Sequence, residues 1–255
     1  MPEPSAVRPL SGLRVLVTRP AHQSQTLCRL IEEAGGRVLR LPLLAIEPRA
    51  APELAAAVRE ACADEVWIFT SANAVRAAAA PLRDRWPDRV YAAGEATAAA
   101  LRDFGCRQAV APQDSRGAES LLALPALRDL AGRRVRLFTG ENTLPRLADG
   151  LRARGALVET LAVYRRIPVA HPAAAVRAAL KQAHVAIVSS GEALEQLVRL
   201  TPTDARARLF ALQLALPSAR VVEKARELGF AKTPWLPSRV ADAAYVELLS
   251  KSLAP

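Results

Sequence analysis

The chain has 255 residues, 51% of them hydrophobic and 24% charged, so it can bury a real core and is neither disordered nor fibrous. Lys and Arg number 35 against 25 Asp and Glu, a formal charge of +10 that points to an anionic partner: nucleic acid, a membrane surface or a small polyacid. Residues 1–14 are Pro-rich and mixed, with no apolar leader, and no run of about 18 apolar residues follows, so the expectation is a soluble, cytoplasmic protein with no membrane span. A short run rich in β-branched residues at 14–18 reads as a first strand, followed by a turn and a helical pattern that stops at Gly35. Residues 37–41 read as a second strand. An Ala-rich helix, a buried strand at 66–69, a helix opened by a Ser/Asn-type cap and a strand at 90–93 come next. From Leu130 the series begins again, with strands at 135–138, 157–163, 185–188 and 213–216 separated by helical patterns. Alternating strands and helices with near-continuous apolar strands predict an α/β fold, its sheets mostly parallel and covered by helices on both faces.

The restart is a repeat. Leu10-Ser-Gly12-Leu-Arg14-Val15 resembles Leu130-Ala-Gly132-Arg-Arg134-Val135, and Gly35-Gly36-Arg-Val38 resembles Gly155-Ala156-Leu-Val158, both at an offset of 120. Ile68-Phe69-Thr70-Ser71 resembles Ile187-Val188-Ser189-Ser190 at 119, and the helix ending at Gly105 resembles the one ending at Gly229 at 124. Two copies of a unit of about 120 residues account for these matches.

Ligands of parallel sheets sit at the carboxyl ends of the strands. Those turns are polar, small and poor in carboxylates: Thr18-Arg19-Pro20, Thr70-Ser71-Ala72-Asn73, Gly94-Glu95-Ala96-Thr97, Thr139-Gly140, Ser189-Ser190-Gly191 and Pro217-Ser218-Ala219-Arg220. Each brings hydroxyls or free N–H groups to a helix N-terminus, where the unpaired donors and the macrodipole favour an anion. Six such turns point to a polyanion cleft. Neither G-x-G-x-x-G nor G-x-x-x-x-G-K-[ST] is present, nor a G-x-S-x-G elbow, so dinucleotide, P-loop and serine-hydrolase chemistry lack their motifs. Cys28, Cys62 and Cys106 are odd in number and without C-x-x-C, and His22, His171 and His184 are scattered, so no disulfide framework or zinc site is encoded. Nucleic-acid binding is disfavoured by only 11 aromatic residues and by basic residues interspersed with acids. Any chemistry must then rely on positioning and hydrogen-bond donors.

Taken together, Val15-Leu-Val-Thr-Arg-Pro20, Phe69-Thr-Ser-Ala-Asn-Ala-Val75, Ala93-Gly-Glu-Ala-Thr97, Ser115-Arg-Gly-Ala-Glu-Ser-Leu121, Leu151-Arg-Ala-Arg-Gly-Ala156, Val163-Tyr164-Arg165 and Ser189-Ser190 resemble the uroporphyrinogen-III synthase family in order and spacing. The resemblance implies two flavodoxin-like α/β domains with parallel sheets, residues 1–42 with 167–255 and residues 47–162, joined by a two-stranded linker at 41–48 and 161–168. It implies cyclisation of hydroxymethylbilane, an open-chain tetrapyrrole with eight carboxylates, to uroporphyrinogen III with inversion of ring D through a spiro intermediate. That reaction belongs to heme, siroheme and cobalamin biosynthesis. No cofactor or metal is implied, and the partners are the substrate and a transient hand-off from hydroxymethylbilane synthase to a monomer, with no nucleic acid and no membrane.

On this resemblance Tyr164 is the proton donor that helps the terminal hydroxyl leave, since a phenol carries its proton at neutral pH. Thr70, Ser71, Asn73, Gly94, Thr97, Ser189 and Ser190 bind acetate and propionate groups, and Arg19 adds a charged clamp. The chain departs from the family at Thr139-Gly-Glu-Asn-Thr-Leu-Pro-Arg146, where a Gly-rich, Arg-containing turn is usual, so Arg146 takes the arginine role from a shifted position. Val221 stands at the repeat equivalent of Thr97, leaving Ser218 and Arg220 to substitute. The competing reading is a non-catalytic two-lobed sensor that binds a tetrapyrrole or another polyanion.

Overall fold

The computed structural model describes residues 8–61, 64–82, 86–114, 118–143 and 145–253. Cys62 and residues 115–117 of the Ser115–Leu121 motif lie outside the described residues. Nine strands are described: β1 (Arg14–Val17), β2 (Arg37–Arg40), β3 (Leu44–Pro48), β4 (Val66–Phe69), β5 (Arg89–Ala92), β6 (Arg134–Gly140), β7 (Leu157–Pro168), β8 (Val185–Ile187) and β9 (Gln213–Ala215). The chain divides into two compact units, Met1–Ala45 with Ile167–Pro255 and Ile46–Arg166.

In the first unit β2-β1-β8-β9 form a sheet whose pairings are all parallel. In the second the order is β3-β7-β6-β4-β5, with β7-β6, β6-β4 and β4-β5 parallel. Isolated parallel bridges, Ala215 to Trp235 and Tyr91 to Val110, add a further extended position beyond β9 and beyond β5. Burial follows the two-residue period of a strand. On β1, Leu16 faces a core with Val176, Leu180 and Leu194, whereas Val15 and Val17 face Leu27, Ile31 and Tyr245. On β4, Trp67 and Phe69 face one core and Val66 and Ile68 the other. The Phe69 ring stacks on Phe138, centroids 4.4 Å apart.

The repeat seen in the sequence survives in backbone detail. Gly12 and Gly132, Gly35 and Gly155, and Gly105 and Gly229 all hold positive φ between 70° and 92°, the left-handed region that only glycine enters without strain. The copies do not coincide with the units. β1 and β2 of the first copy share a sheet with β8 and β9 of the second, and β6 and β7 pair with β4 and β5, so the copies exchange halves. β7 is also longer than the sequence pattern suggests: one strand, Leu157–Pro168, covers both the segment read as a strand and the Pro-bounded extension after it. Among the described residues no helix is long and apolar enough to cross a membrane.

Candidate functional site

In the second unit the carboxyl end of β4 meets that of β6. The Thr70 N–H and hydroxyl both donate to the Phe138 carbonyl, at 3.0 and 3.2 Å, so Thr70 clips the two strand ends together. The next residue, Ser71, caps the helix Ala72–Leu82: its Oγ accepts the Ala74 N–H at 3.1 Å. The same Oγ lies 3.2 Å from the Tyr164 hydroxyl. Asn73 sits half-buried in the first turn of that helix. Gly94 precedes the helix Glu95–Asp103 in extended backbone and accepts the Thr97 N–H at 3.0 Å; Thr97 itself is buried.

Tyr164 is buried on β7, and its carbonyl accepts the Glu141 N–H at 2.9 Å. It lines a cavity of about 420 Å³ together with Glu47, Arg49, Glu53, Glu141 and Arg165. Arg165 pairs with Glu47, which holds the guanidinium pKa above its ordinary value, and Arg49 pairs with Glu53 at 3.3 Å. Three carboxylates around two guanidiniums leave this cavity without an excess of positive charge. Sequence reasoning draws only Tyr164 from this group; Arg165 is visible as its neighbour in the motif, whereas Glu47 and Glu141 reach it through folding alone. Arg146 opens the helix Arg146–Arg152, is exposed, and pairs with Glu119 at 2.7 Å. The turn before it is closed by Thr143, whose hydroxyl donates to the Gly140 carbonyl at 2.7 Å, with Asn142 at φ 58°.

The first unit repeats this construction. The Thr18 hydroxyl donates to the Ile187 carbonyl at 2.9 Å, as Thr70 does to Phe138. Ser190 caps the helix Gly191–Leu200 through the Ala193 N–H at 3.1 Å, as Ser71 does in the other unit, and half-buried Ser189 precedes it. Ser218, the repeat equivalent of Gly94, opens the helix Ala219–Glu227 in extended backbone without a side-chain cap bond; Ser218 and Arg220 are exposed and Val221 is buried. Arg19 is not an open clamp: its Nη1 sits 2.5 Å from Asp242 Oδ1, and its guanidinium lies 5.0 Å over the ring of Tyr245. Burial pushes the Tyr245 phenol pKa up, with Arg19 acting in the opposite direction.

The structure thus gathers Thr70, Ser71, Asn73, Gly94, Thr97, Arg146 and Tyr164 in the second unit and Arg19, Ser189, Ser190, Ser218 and Arg220 in the first. Hydrogen-bond inventory sorts them. A carboxylate only accepts, so it needs a spare donor. Ser190 accepts in its cap bond and keeps its own O–H to donate, whereas the Thr70 proton is already given to Phe138. Among the described residues no group of three or more His, Cys, Asp or Glu is placed to hold a metal ion.

Fold and site define a class: a two-unit α/β protein with mostly parallel sheets whose strand ends carry hydroxyls and helix N-termini, those of the second unit together with the buried Tyr164. A model of the family described as uroporphyrinogen-III synthase HemD matches residues 25–239. The uroporphyrinogen-III synthase of Escherichia coli strain K12 is 31% identical over 250 residues, spanning 94% of this chain and 100% of that protein. That of Salmonella typhimurium strain LT2 is 32% identical over the same length and the same shares. The crystal structure of a mutant uroporphyrinogen III synthase from the extremely thermophilic bacterium Thermus thermophilus superposes with a TM-score of 0.60 at 21% identity, covering 95% of this chain and 99% of that one. The Helicobacter pylori enzyme gives 0.57 at 15% identity, covering 95% and 100%. The chain belongs to the uroporphyrinogen-III synthase family.

Proposed function

We propose that the chain cyclises hydroxymethylbilane to uroporphyrinogen III as an enzyme of tetrapyrrole biosynthesis in the cytoplasm. The observation that carries this reading is the family match, which runs across both units, with relatives of that name matched over their whole length. The geometry agrees with it. A polycarboxylate needs donors and helix N-termini, and both units end their sheets in them. In this reading the Tyr164 hydroxyl gives its proton to the departing hydroxyl, which leaves as water and creates an azafulvenium cation, and the tyrosinate regains a proton from the one that ring D loses on reclosure. The substituted carbon of ring D then attacks to form a spiro intermediate, and fragmentation and reclosure give the inverted ring. Because the open bilane closes by itself to the wrong isomer, the protein's task is to fold the chain and steer the closing bond. Ser190, Ser189, Asn73, Ser218 and Arg220 serve as carboxylate partners, joined by the backbone N–H groups that follow Ser71 and Gly94.

The test is incubation of hydroxymethylbilane with and without the protein, oxidation of the products, and separation of the type I and type III isomers. The type III isomer should predominate with protein and no added metal or cofactor. An isomer ratio equal to the protein-free control would remove the reading.

A further inference from the structure

We propose that Gly140 and Ser71 form the socket that positions the Tyr164 hydroxyl for proton transfer, Gly140 by having no side chain and Ser71 by holding the oxygen. The proposal rests on the proposed reading of Tyr164 as donor. Three independent features of the second unit converge on it.

The first is register. β6 and β7 pair evenly from Arg134 with Leu157 to Thr139 with Ala162, and then Gly140 faces Tyr164, so Val163 is an extra residue on β7. Such a bulge re-aims the side chain that follows it. The Val163 carbonyl accepts the Arg49 N–H at 2.9 Å, which anchors the bulge. The second feature is space. A Cβ on Gly140 would stand 2.6 Å from Tyr164 Cζ, 2.8 Å from Cε2 and 2.9 Å from the hydroxyl oxygen. The phenol end of the ring therefore lies against bare backbone, and any other residue at 140 drives the hydroxyl away. The third is the hydroxyl's neighbour. Ser71 Oγ, fixed by the Ala74 N–H at 3.1 Å, lies 3.2 Å from Tyr164 Oη. A serine that donates to the phenol oxygen leaves the phenol proton pointing elsewhere, available to a leaving group, and supports the oxygen as charge develops on it. Register aims the ring, glycine admits it and serine fixes its oxygen.

The experiment is single-turnover formation of uroporphyrinogen III at saturating protein, with KM measured separately. The variants are Gly140→Ala, Tyr164→Phe, their combination, and Gly150→Ala as a control whose added Cβ stands nearest the flexible end of the Leu122 side chain, at 2.6 Å. Gly140→Ala should lower the single-turnover rate about 10- to 100-fold with KM little changed, as a misplaced reacting group does. It should cause no further loss in the Tyr164→Phe background, and Gly150→Ala should keep the rate. Ser71→Ala approaches the socket without adding atoms, so it decides the matter if Gly140→Ala fails to unfold cooperatively. It should slow the same step, add nothing to Tyr164→Phe, and be rescued by Ser71→Thr, which keeps the hydroxyl. A wild-type rate in both Gly140→Ala and Ser71→Ala, or losses that multiply with Tyr164→Phe, overturns the socket while the donor role stands. A wild-type rate in Tyr164→Phe overturns donor and socket together. Absence of type III product from the unaltered chain overturns the proposed function itself.

Discussion

At Tyr164 the end of the ring lies against Gly140, the last residue of β6, and the hydroxyl against Ser71, just after β4. Tyr164→Phe keeps the packing against Phe69 and Val163 but loses the Ser71 hydrogen bond, so stability should fall by about 1 kcal/mol in urea unfolding. A loss several times larger would mean the hydroxyl is structural. Cys106 gives a pH prediction. Burial pushes its thiol up to about 11, against backbone N–H groups of Ala109 and Gln108 that pull it down, and the ordinary value is near 9. Between those values the unfolded chain has lost the proton and the folded chain still holds it, so this residue's contribution to stability is full below pH 9. It is lost as the pH rises through about 11. The thiolate is the reactive form, so native protein at about pH 8 should leave Cys106 unalkylated by iodoacetamide, with labelling only on unfolding, read by peptide mass mapping. Rapid native labelling would contradict its burial. At this scale the sequence marked Tyr164 as a candidate through a resemblance and showed both capping serines, because an N-cap residue is a local signal. It could not show that Asp242, 223 positions away, holds Arg19, or that Gly140 lies under a phenol.

Helix starts and strand ends were the most readable elements, because caps, glycine stops and β-branched runs are local signals. Ser190→Ala removes the acceptor for the Ala193 N–H, so the helix Gly191–Leu200 should lose about 1 kcal/mol. If Ser190 also donates to a substrate carboxylate, the same variant should raise KM while single-turnover rate holds, and an unchanged KM would confine it to capping. Less readable was the charged residue inside β6. Arg136 is 8% exposed between the buried Val135 and Leu137, its Nε 2.7 Å from Asp64 and its Nη1 2.5 Å from Glu159. A parallel strand covered on both faces calls for an apolar residue there, and only the neighbouring segments explain the exception. Asp64→Ala should therefore cost about 3 kcal/mol, since a buried guanidinium would keep only the exposed Glu159. Urea midpoints of Asp64→Ala and Glu159→Ala compare the two carboxylates directly, and equal, small losses would show that Arg136 finds water instead.

For the whole molecule, the two copies were legible and their exchange of halves was not a matter of local pattern. Both copies carry the same strands and the same three left-handed glycines, so nothing within either says which β1-like strand joins which β4-like strand. The decision falls at two extended crossings, where the unit boundary cuts β3 after Ala45 and β7 after Arg166. The consequence is an asymmetry in what each piece of chain can do alone. Residues 44–168 contain every strand of the five-stranded sheet and both of its cores, one around Trp67, Phe69 and Phe138 and one around Ile68, Leu137 and Leu151. Residues 1–43 contain β1 and β2 but neither β8 nor the helices that cover them from the far end of the chain, Tyr245 and Leu249 included. The fragment 44–168 should therefore fold by itself and unfold in urea in one cooperative transition, whereas 1–43 should show no cooperative transition at all. Trp67, fully buried in the second unit, reports that transition by fluorescence, and Trp235, in the first unit, is absent from the fragment and so adds no signal. A sloping, probe-dependent curve for 44–168, with dye-binding apolar surface, would mean that the second core closes only when the rest of the chain is attached.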